Sequence, residues 1–330
     1  MLNYEKENQV FLNLIEEKIT EIIPQKQPEA LYNAFNYVMT AGGKRIRPVL
    51  TMLACALLTG KPQHAVSAGL AIEIIHNFTL VHDDIMDNSS IRRGRETVHI
   101  KWDESTAILT GDMMVGWAYR MLPTSAPRYA ELVEELNTAL VDVCEGQQFD
   151  MEFNSRSDVT IDEYIEMIKL KTSALLRCSV RLGALIGNCS KEQYDALDNF
   201  ALNLGIAFQI QDDMLDMTAD QLKFGKKIGQ DIIEGKKSFI ILKALELATE
   251  EKDIALLQKY MHTKNGLPET YIPQFKEIFD NLNIFEIGQK IIDEYINKAN
   301  SYIQNIQNSV QNDYYEMLKH FVNSLNKRVY

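Results

Sequence analysis

No proline interrupts the chain between Pro127 and Pro268, and that single fact narrows the fold more than any other. Such a run contains no fixed helix breaker. It is rich in Leu, Ile, Ala, Glu, Lys and Gln, which lose little side-chain freedom in a helix. Apolar residues recur along it at helical spacing, and no strand-like alternation persists. Only 8 prolines and 16 glycines occur in 330 residues, and no Pro/Gly/Ser-rich stretch reads as a linker. The expected fold class is all-α: one large helical bundle, a single domain over 1–330, where length alone would suggest two. The 46% of residues that are hydrophobic supply its core.

Phe11, Leu12, Leu14, Ile15, Ile19 and Ile22 predict a first amphipathic helix, ended by Pro24. Leu31, Phe35, Val38 and Met39 mark a second, stopped by Ala41-Gly42-Gly43. A third begins near Arg47-Pro48, where proline suits a first turn, and runs through Leu57. Residues 65–87 form a long apolar segment ending in carboxylates, and Asn88 to Arg95 reads as a loop. Further helices are expected over 104–121, 128–152, 161–187, 191–217, 236–260 and 282–324. The region 282–330 carries no assigned site.

The net charge of -12 disfavours a nucleic-acid or anionic-membrane surface, since both call for a basic patch. An anionic small molecule stays possible, because bound cations or a local basic cluster can reverse the field in a cleft. The first residues lack the pattern of a secretory signal or transit peptide, and no uncharged apolar run approaches the ~20 residues of a membrane span. A cytoplasmic location is expected. Cys55, Cys144, Cys178 and Cys189 have no metal-ligand spacing and read as free buried thiols.

Two short acidic motifs carry the chemistry: Asp83-Asp84-Ile85-Met86-Asp87 and Asp212-Asp213-Met214-Leu215-Asp216. Residues four apart share a helix face, so Asp83 pairs with Asp87 and Asp212 with Asp216. Like charges at that spacing destabilise a helix, and a solvated helix end is the plain reading of one copy. Two copies, each closing an apolar segment, point to a divalent cation. All-oxygen carboxylate ligands, with no His or Cys nearby at ligand spacing, favour a hard ion, Mg2+ first. Mg2+ binds through a few carboxylates together with substrate phosphates, which need basic partners. Lys44, Arg45 and Arg47 follow a Gly-Gly turn; Arg92, Arg93 and Arg95 follow the first motif; Lys171-Thr172 sits mid-chain; Lys226, Lys236 and Lys237 follow the second motif. Arginine forks and lysine point charges suit phosphate oxygens.

These pieces, in this order, resemble the trans-isoprenyl (polyprenyl) diphosphate synthases, closest to the short-chain geranylgeranyl and farnesyl types. The resemblance runs from Gly42-Gly43-Lys44-Arg45-Ile46-Arg47-Pro48 through His76, Asp83–Asp87, Arg92-Arg93-Gly94, Gly111-Asp112, Glu145-Gly146-Gln147, Lys171-Thr172 and Phe208–Asp216 to Gly225-Lys226, Gly229, Asp231 and Gly235-Lys236. It implies a helical bundle with the two motifs facing each other across a central cavity, usually in a homodimer, and Mg2+ at about three ions per site. Asp83, Asp87 and Asp212 are then direct ligands, with Asp84, Asp213 and Asp216 completing or supporting the shells. Arg92, Lys171, Thr172, Gln209, Lys226 and Lys236 hold the allylic diphosphate, and Lys44, Arg47, His76 and Arg93 hold isopentenyl diphosphate. His82 is expected to be a satisfied core histidine.

In that reading neutralisation of the leaving diphosphate ionises the allylic C–O bond, the double bond of isopentenyl diphosphate attacks, and a proton is lost. The growing tail runs down between helices. Phe78, five residues before Asp83, and Thr79, four before, are candidates for its floor, with Met113, Met114 and Trp117 as neighbours. An aromatic at the deeper position alone goes in the family with C20 products, so geranylgeranyl diphosphate is the expected product. A farnesyl or longer-chain synthase is the nearest alternative. A terpene cyclase usually lacks a second DDxxD and needs no second diphosphate site, and a non-catalytic partner subunit would have lost aspartates. Intact Asp212–Asp216 with Lys44 and Arg47 argues against the first, and two whole motifs, Asp83–Asp87 and Asp212–Asp216, argue against the second.

Overall fold

A computed structural model describes residues 3–24, 26–218 and 228–326. Nearly all regular structure among them is helical, as the periodicity predicts. The chain divides into two compact units, each assembled from separated stretches.

The first unit comprises Met1–Leu140, Leu175–Asp198 and Gln304–His320. Helix α1, Tyr4–Ile22, starts at Asn3, whose side chain accepts from the Lys6 N–H, and stops before Pro24. Helices α2 (Glu29–Met39) and α3 (Ile46–Thr59) follow. Helix α4, Val66–Met86, is buried on nearly every side from Ala68 to Ile75, as a helix apolar nearly all round must be. By length and composition the stretch Pro62–Met86 is apolar enough to cross a membrane, but 61% of its apolar window is buried inside the protein. Its Glu73 and Asn77 are buried and hydrogen-bonded, which marks it as a core helix. Beyond a short helix, α5 (Val98–Lys101), α6 (Glu104–Met121) lies hard against α4. A Cβ on Gly111 would come within 2.2 Å of the His82 Nε2 atom. His82 pairs with the Ile108 carbonyl at 3.2 Å and stands edge-on to Phe78, but it is half-buried rather than a core residue.

The second unit comprises Val141–Ala174, Asn199–Ile303 and Phe321–Tyr330. It takes in the later part of α7 (Tyr129–Phe153) and α8 (Ile161–Ile168), which opens on a Thr160/Glu163 capping box. A π-helical turn, Lys169–Ser173, leads into α9 (Ala174–Ile186), so the helix predicted over 161–187 is interrupted. Glycines on two neighbouring helices allow that turn to pack closely. A Cβ on Gly146 of α7 would meet the Lys171 backbone nitrogen at 2.3 Å. One on Gly205 of α10 (Lys191–Thr218) would meet the Ser173 Oγ atom at 2.4 Å.

Later boundaries depart from expectation. The helix predicted over 236–260 is two, α12 (Phe239–Leu247) and α13 (Glu251–Met261), preceded by a five-residue α11 (Gln230–Glu234). Gly235 takes φ 79° and Ser238 is extended, which delays the start; Ala248 and Glu250 are also extended, which makes the break. Helix α14 (Ile272–Asn281), with Pro273 in its first turn, lies in a stretch where none was predicted. The helix expected over 282–324 is split into α15 (Ile284–Gln304) and α16 (Asn312–Asn326). Between them the Gln311 N–H donates to the Leu57 carbonyl at 2.7 Å. The predicted loop after the first acidic motif contains a two-residue antiparallel pair, Ile91–Arg92 with Arg95–Glu96. Cys144 is exposed, contrary to expectation, while Cys55, Cys178 and Cys189 are buried and all four are free.

Candidate active site

In the first unit the acidic motif closes α4. The Asp87 N–H donates to the Asp83 carbonyl at 2.8 Å, so the helical turn that stacks the two carboxylates is formed. Both are half-buried. Asp84 points elsewhere: it is buried and accepts from Arg92 Nε at 2.6 Å. Burial pushes its carboxyl up, and Arg92 opposes the shift.

The two-residue ladder explains how adjacent arginines serve different ends. Arg93 and Gly94 both take positive φ, 51° and 73°, the backbone of a tight primed hairpin turn. Arg92 folds back onto Asp84, while Arg93 Nη1 donates to the Gly42 carbonyl at 2.5 Å and to Asn77 Oδ1 at 3.3 Å. Gly43, at φ 135°, makes room, since a Cβ there would lie 3.1 Å from the Arg93 guanidinium carbon.

Arg45, in the left-handed conformation at φ 47°, is buried and donates to Glu16, Glu73 and the Met39 carbonyl. It fastens the turn from which exposed Lys44 and half-buried Arg47 project. The buried Arg47 Nε has no hydrogen-bond partner. Burial pulls the Arg47 pKa down to about 10, with Arg93 adding to the effect and Glu73 opposing it. Burial, then Arg47, Arg93, Arg92 and Arg45, hold His76 well below its ordinary range, so its ring is neutral at pH 7. Arg47, Arg93, Arg92 and Arg45 thus crowd neutral His76 with positive charge, and the set contains an orphaned buried donor. Such a set fits a multiply charged anion.

Phe78 and Thr79 lie farther back on α4. Phe78 is half-buried with its ring 4.8 Å from His82, on the side toward α6, and Thr79 Oγ1 donates to the His76 carbonyl.

In the second unit Asp212 is exposed and Asp216 half-buried. Asp213 is buried and accepts three bonds: Tyr164 Oη at 2.7 Å, the Phe239 N–H at 2.8 Å and Gln209 Nε2 at 2.9 Å. Burial raises its carboxyl and those donors pull it back. Asp216 Oδ2 accepts from the Asp231 N–H at 3.2 Å. Burial, with Asp216, Asp213 and Asp212 adding, pushes Asp231 well above the carboxylate range. Among the described residues no three carboxylate, His or Cys side chains converge as a complete metal cage. A cation here needs further oxygens from a ligand, which is how Mg2+ binds.

The basic partners gather around the π-helical turn. Thr172 Oγ1 donates to Gln209 Oε1 at 2.7 Å, which links it to Asp213 through Gln209. Lys171 Nζ lies 2.6 Å and Lys236 Nζ 3.3 Å from one oxygen of Asp150, which is held ionised by the two ammonium groups despite its burial. Sequence reasoning missed Asp150, and it missed Glu73, Asn77 and Tyr164. Asp150 lies one turn beyond Gly146, and only the fold brings Lys171 and Lys236 to it. Lys226 lies outside the described residues.

Three comparisons bear on this arrangement. The family model described as Polyprenyl synthetase matches residues 28–272. A short chain isoprenyl diphosphate synthase of Methanothermobacter thermautotrophicus is 37% identical over 316 residues, 94% of this chain and 95% of that protein. A geranylfarnesyl diphosphate synthase of Natronomonas pharaonis is 40% identical over 250 residues, 70% of this chain and 73% of that one. The crystal structure of a geranylgeranyl pyrophosphate synthetase from Pyrococcus horikoshii superposes with a TM-score of 0.88 at 35% identity, covering 99% of this chain and 100% of that one.

Proposed function

Because the chain belongs to the polyprenyl synthetase family, we propose that it is a trans-prenyl diphosphate synthase that condenses isopentenyl diphosphate with an allylic diphosphate to give geranylgeranyl diphosphate. The observation that carries the reading is the arginine set around the unpartnered Arg47 Nε. A second diphosphate-binding region, separate from the carboxylate motifs, is what condensation needs and cyclisation does not.

In this reading Lys44, Arg47, His76 and Arg93 hold isopentenyl diphosphate. Neutral His76 offers a hydrogen bond without adding to the repulsion among the arginines. Arg92, Lys171, Thr172, Gln209, Lys226 and Lys236 hold the allylic diphosphate. Asp83, Asp87, Asp212 and Asp216 are the Mg2+ ligands, with Asp84 and Asp213 anchoring each motif from behind. Bound Mg2+ supplies Lewis-acid neutralisation of the leaving diphosphate. Lys171 and Lys236 share that work, and their tie to Asp150 keeps them oriented before substrate arrives. The apolar helices exclude water that would quench the allylic cation. A homodimer, a cytoplasmic location and a single synthase domain over 1–330 come with the family reading.

The C20 product rests on Phe78 as the floor. The relatives bear names of both C20 and longer products, so chain length is decided by experiment. Purified protein is incubated with Mg2+, dimethylallyl diphosphate and labelled isopentenyl diphosphate, and the dephosphorylated products are separated. One linear C20 alcohol is expected, and none when Mg2+ is omitted. Phe78→Ala is expected to shift the product to C25 or beyond. An unchanged product would remove Phe78 from the floor, and failure to elongate any allylic starter would overturn the synthase reading.

A further inference from the structure

Tyr260 stands on α13, far along the chain from both aspartate motifs, and is fully buried. Its hydroxyl lies 2.7 Å from the Lys236 carbonyl and 3.1 Å from the Asp231 carbonyl, donating to them. The Asp231 carbonyl also accepts from the Lys236 N–H at 3.0 Å, so the phenol ties together both ends of the turn that follows α11. Burial, with Asp231 adding, holds the phenol well above its ordinary pKa, and it stays a donor.

The ring itself is fixed from two directions. Phe275 meets it edge-on at 5.4 Å, and the buried Lys237 ammonium rests 4.7 Å above it while donating to the Tyr260 carbonyl at 3.5 Å. A cation on an aromatic face in a desolvated place is a sizeable restraint. The turn is braced from behind as well. Gly235 and Gly266 both take positive φ, and a Cβ on Gly266 would come within 2.2 Å of the Ile232 carbonyl. The Leu267 N–H donates to that same carbonyl at 3.1 Å. This bracing serves a turn whose exit residue sends its side chain to Asp150 beside Lys171.

We propose that Tyr260 is a positioning residue for the allylic diphosphate: its hydroxyl fixes the backbone from Asp231 to Lys236 and so aims the Lys236 ammonium. The proposal rests on the reading of Lys236 as a ligand of that diphosphate. Loss of the hydroxyl takes the donor from the Lys236 carbonyl and leaves the Asp231 carbonyl to the backbone N–H groups of the turn, which relaxes while the ring keeps its packing.

Tyr260→Phe is the test, with Phe275→Leu as a control that loosens the same ring without removing a polar group. Steady-state constants are measured for both substrates. Binding of geranyl S-thiolodiphosphate, a slowly ionising allylic analogue, is measured with Mg2+ by calorimetry. Tyr260→Phe is expected to raise the allylic KM and the analogue Kd about tenfold, the scale of one lost hydrogen bond, and to leave the isopentenyl diphosphate KM within about twofold. Phe275→Leu is expected to lower the melting temperature and move neither KM. An unaltered allylic KM and analogue Kd in Tyr260→Phe would overturn the proposal, as would the same selective change in Phe275→Leu. A wild-type protein that binds the analogue but forms no product defeats the synthase reading alone, and the Kd ratio still decides the role of Tyr260. A wild-type protein that does not bind it defeats both.

Discussion

Adjacent aspartates in each motif are used in opposite ways. Asp84 and Asp213 are buried and hydrogen-bonded from behind, whereas Asp83 and Asp87 are half-buried and Asp212 is exposed. Their substitutions should separate cleanly. Asp83→Ala and Asp212→Ala are expected to keep the urea midpoint and lose about a thousandfold or more in kcat/KM, the scale of losing a metal's charge stabilisation. Asp213→Ala strands three donors and is expected to cost about 2–3 kcal/mol of stability, read as a lowered urea midpoint. A second residue-scale expectation concerns pH. The folded protein holds His76 below its ordinary pKa of 6.5, so below that pH the unfolded chain binds the extra proton first. Stability therefore falls as pH drops from about 6.5 toward the folded value. His76→Gln should flatten that loss between pH 7 and 5.5 in denaturant midpoints, and an unaltered slope would place the acid sensitivity elsewhere. The motifs themselves were legible in the sequence because spacing alone stacks Asp83 on Asp87. Asp150 was not, because a single aspartate within a helix has no pattern until the fold brings Lys171 and Lys236 to it.

At the scale of elements, most helices could be read from periodicity, and the exceptions have local causes. The break after Leu247 has no proline or glycine to announce it; it is made by extended backbone at Ala248 and Glu250, with Glu251 and Asp253 suited to the start of α13. The hairpin at Arg92–Arg95 is too short for alternation to show, although Arg93-Gly94 is turn chemistry. The π-helical turn left no compositional trace at all. It absorbs about one extra residue, so Tyr164 and Thr172, eight positions apart, behave as if about seven apart, close to two full turns. That phase lets both side chains reach the same face of α10, at Asp213 and Gln209. Gly146→Ala places a methyl against the backbone of this turn. It is expected to cost about 1–3 kcal/mol and to raise the allylic KM, whereas Gly116→Ala, where a Cβ meets nothing within 4 Å, should do neither. Thermal melts and kinetics on the two variants check this.

At the scale of the whole molecule, the all-α class was legible because no competing signal existed, and the proline-free run is helical almost throughout its described residues. The interleaving of the two units was not, since hydrophobic periodicity reports which face is buried and not which partner buries it. That interleaving bears on how the chain is made. The first unit takes its last stretch from Gln304–His320, and the second does not begin until Val141. A ribosome must release the stretch through His320 before the first unit is complete, so this part of the chain cannot fold in the usual order of N-terminal part first and remainder later. A chain ending at Ile303 should accordingly fail to give a cooperative thermal transition, although every residue assigned to substrate or metal lies upstream. Nascent helices of the first unit then wait with apolar faces uncovered until Gln304–His320 arrives, and the net charge of -12 opposes the association of such chains with one another.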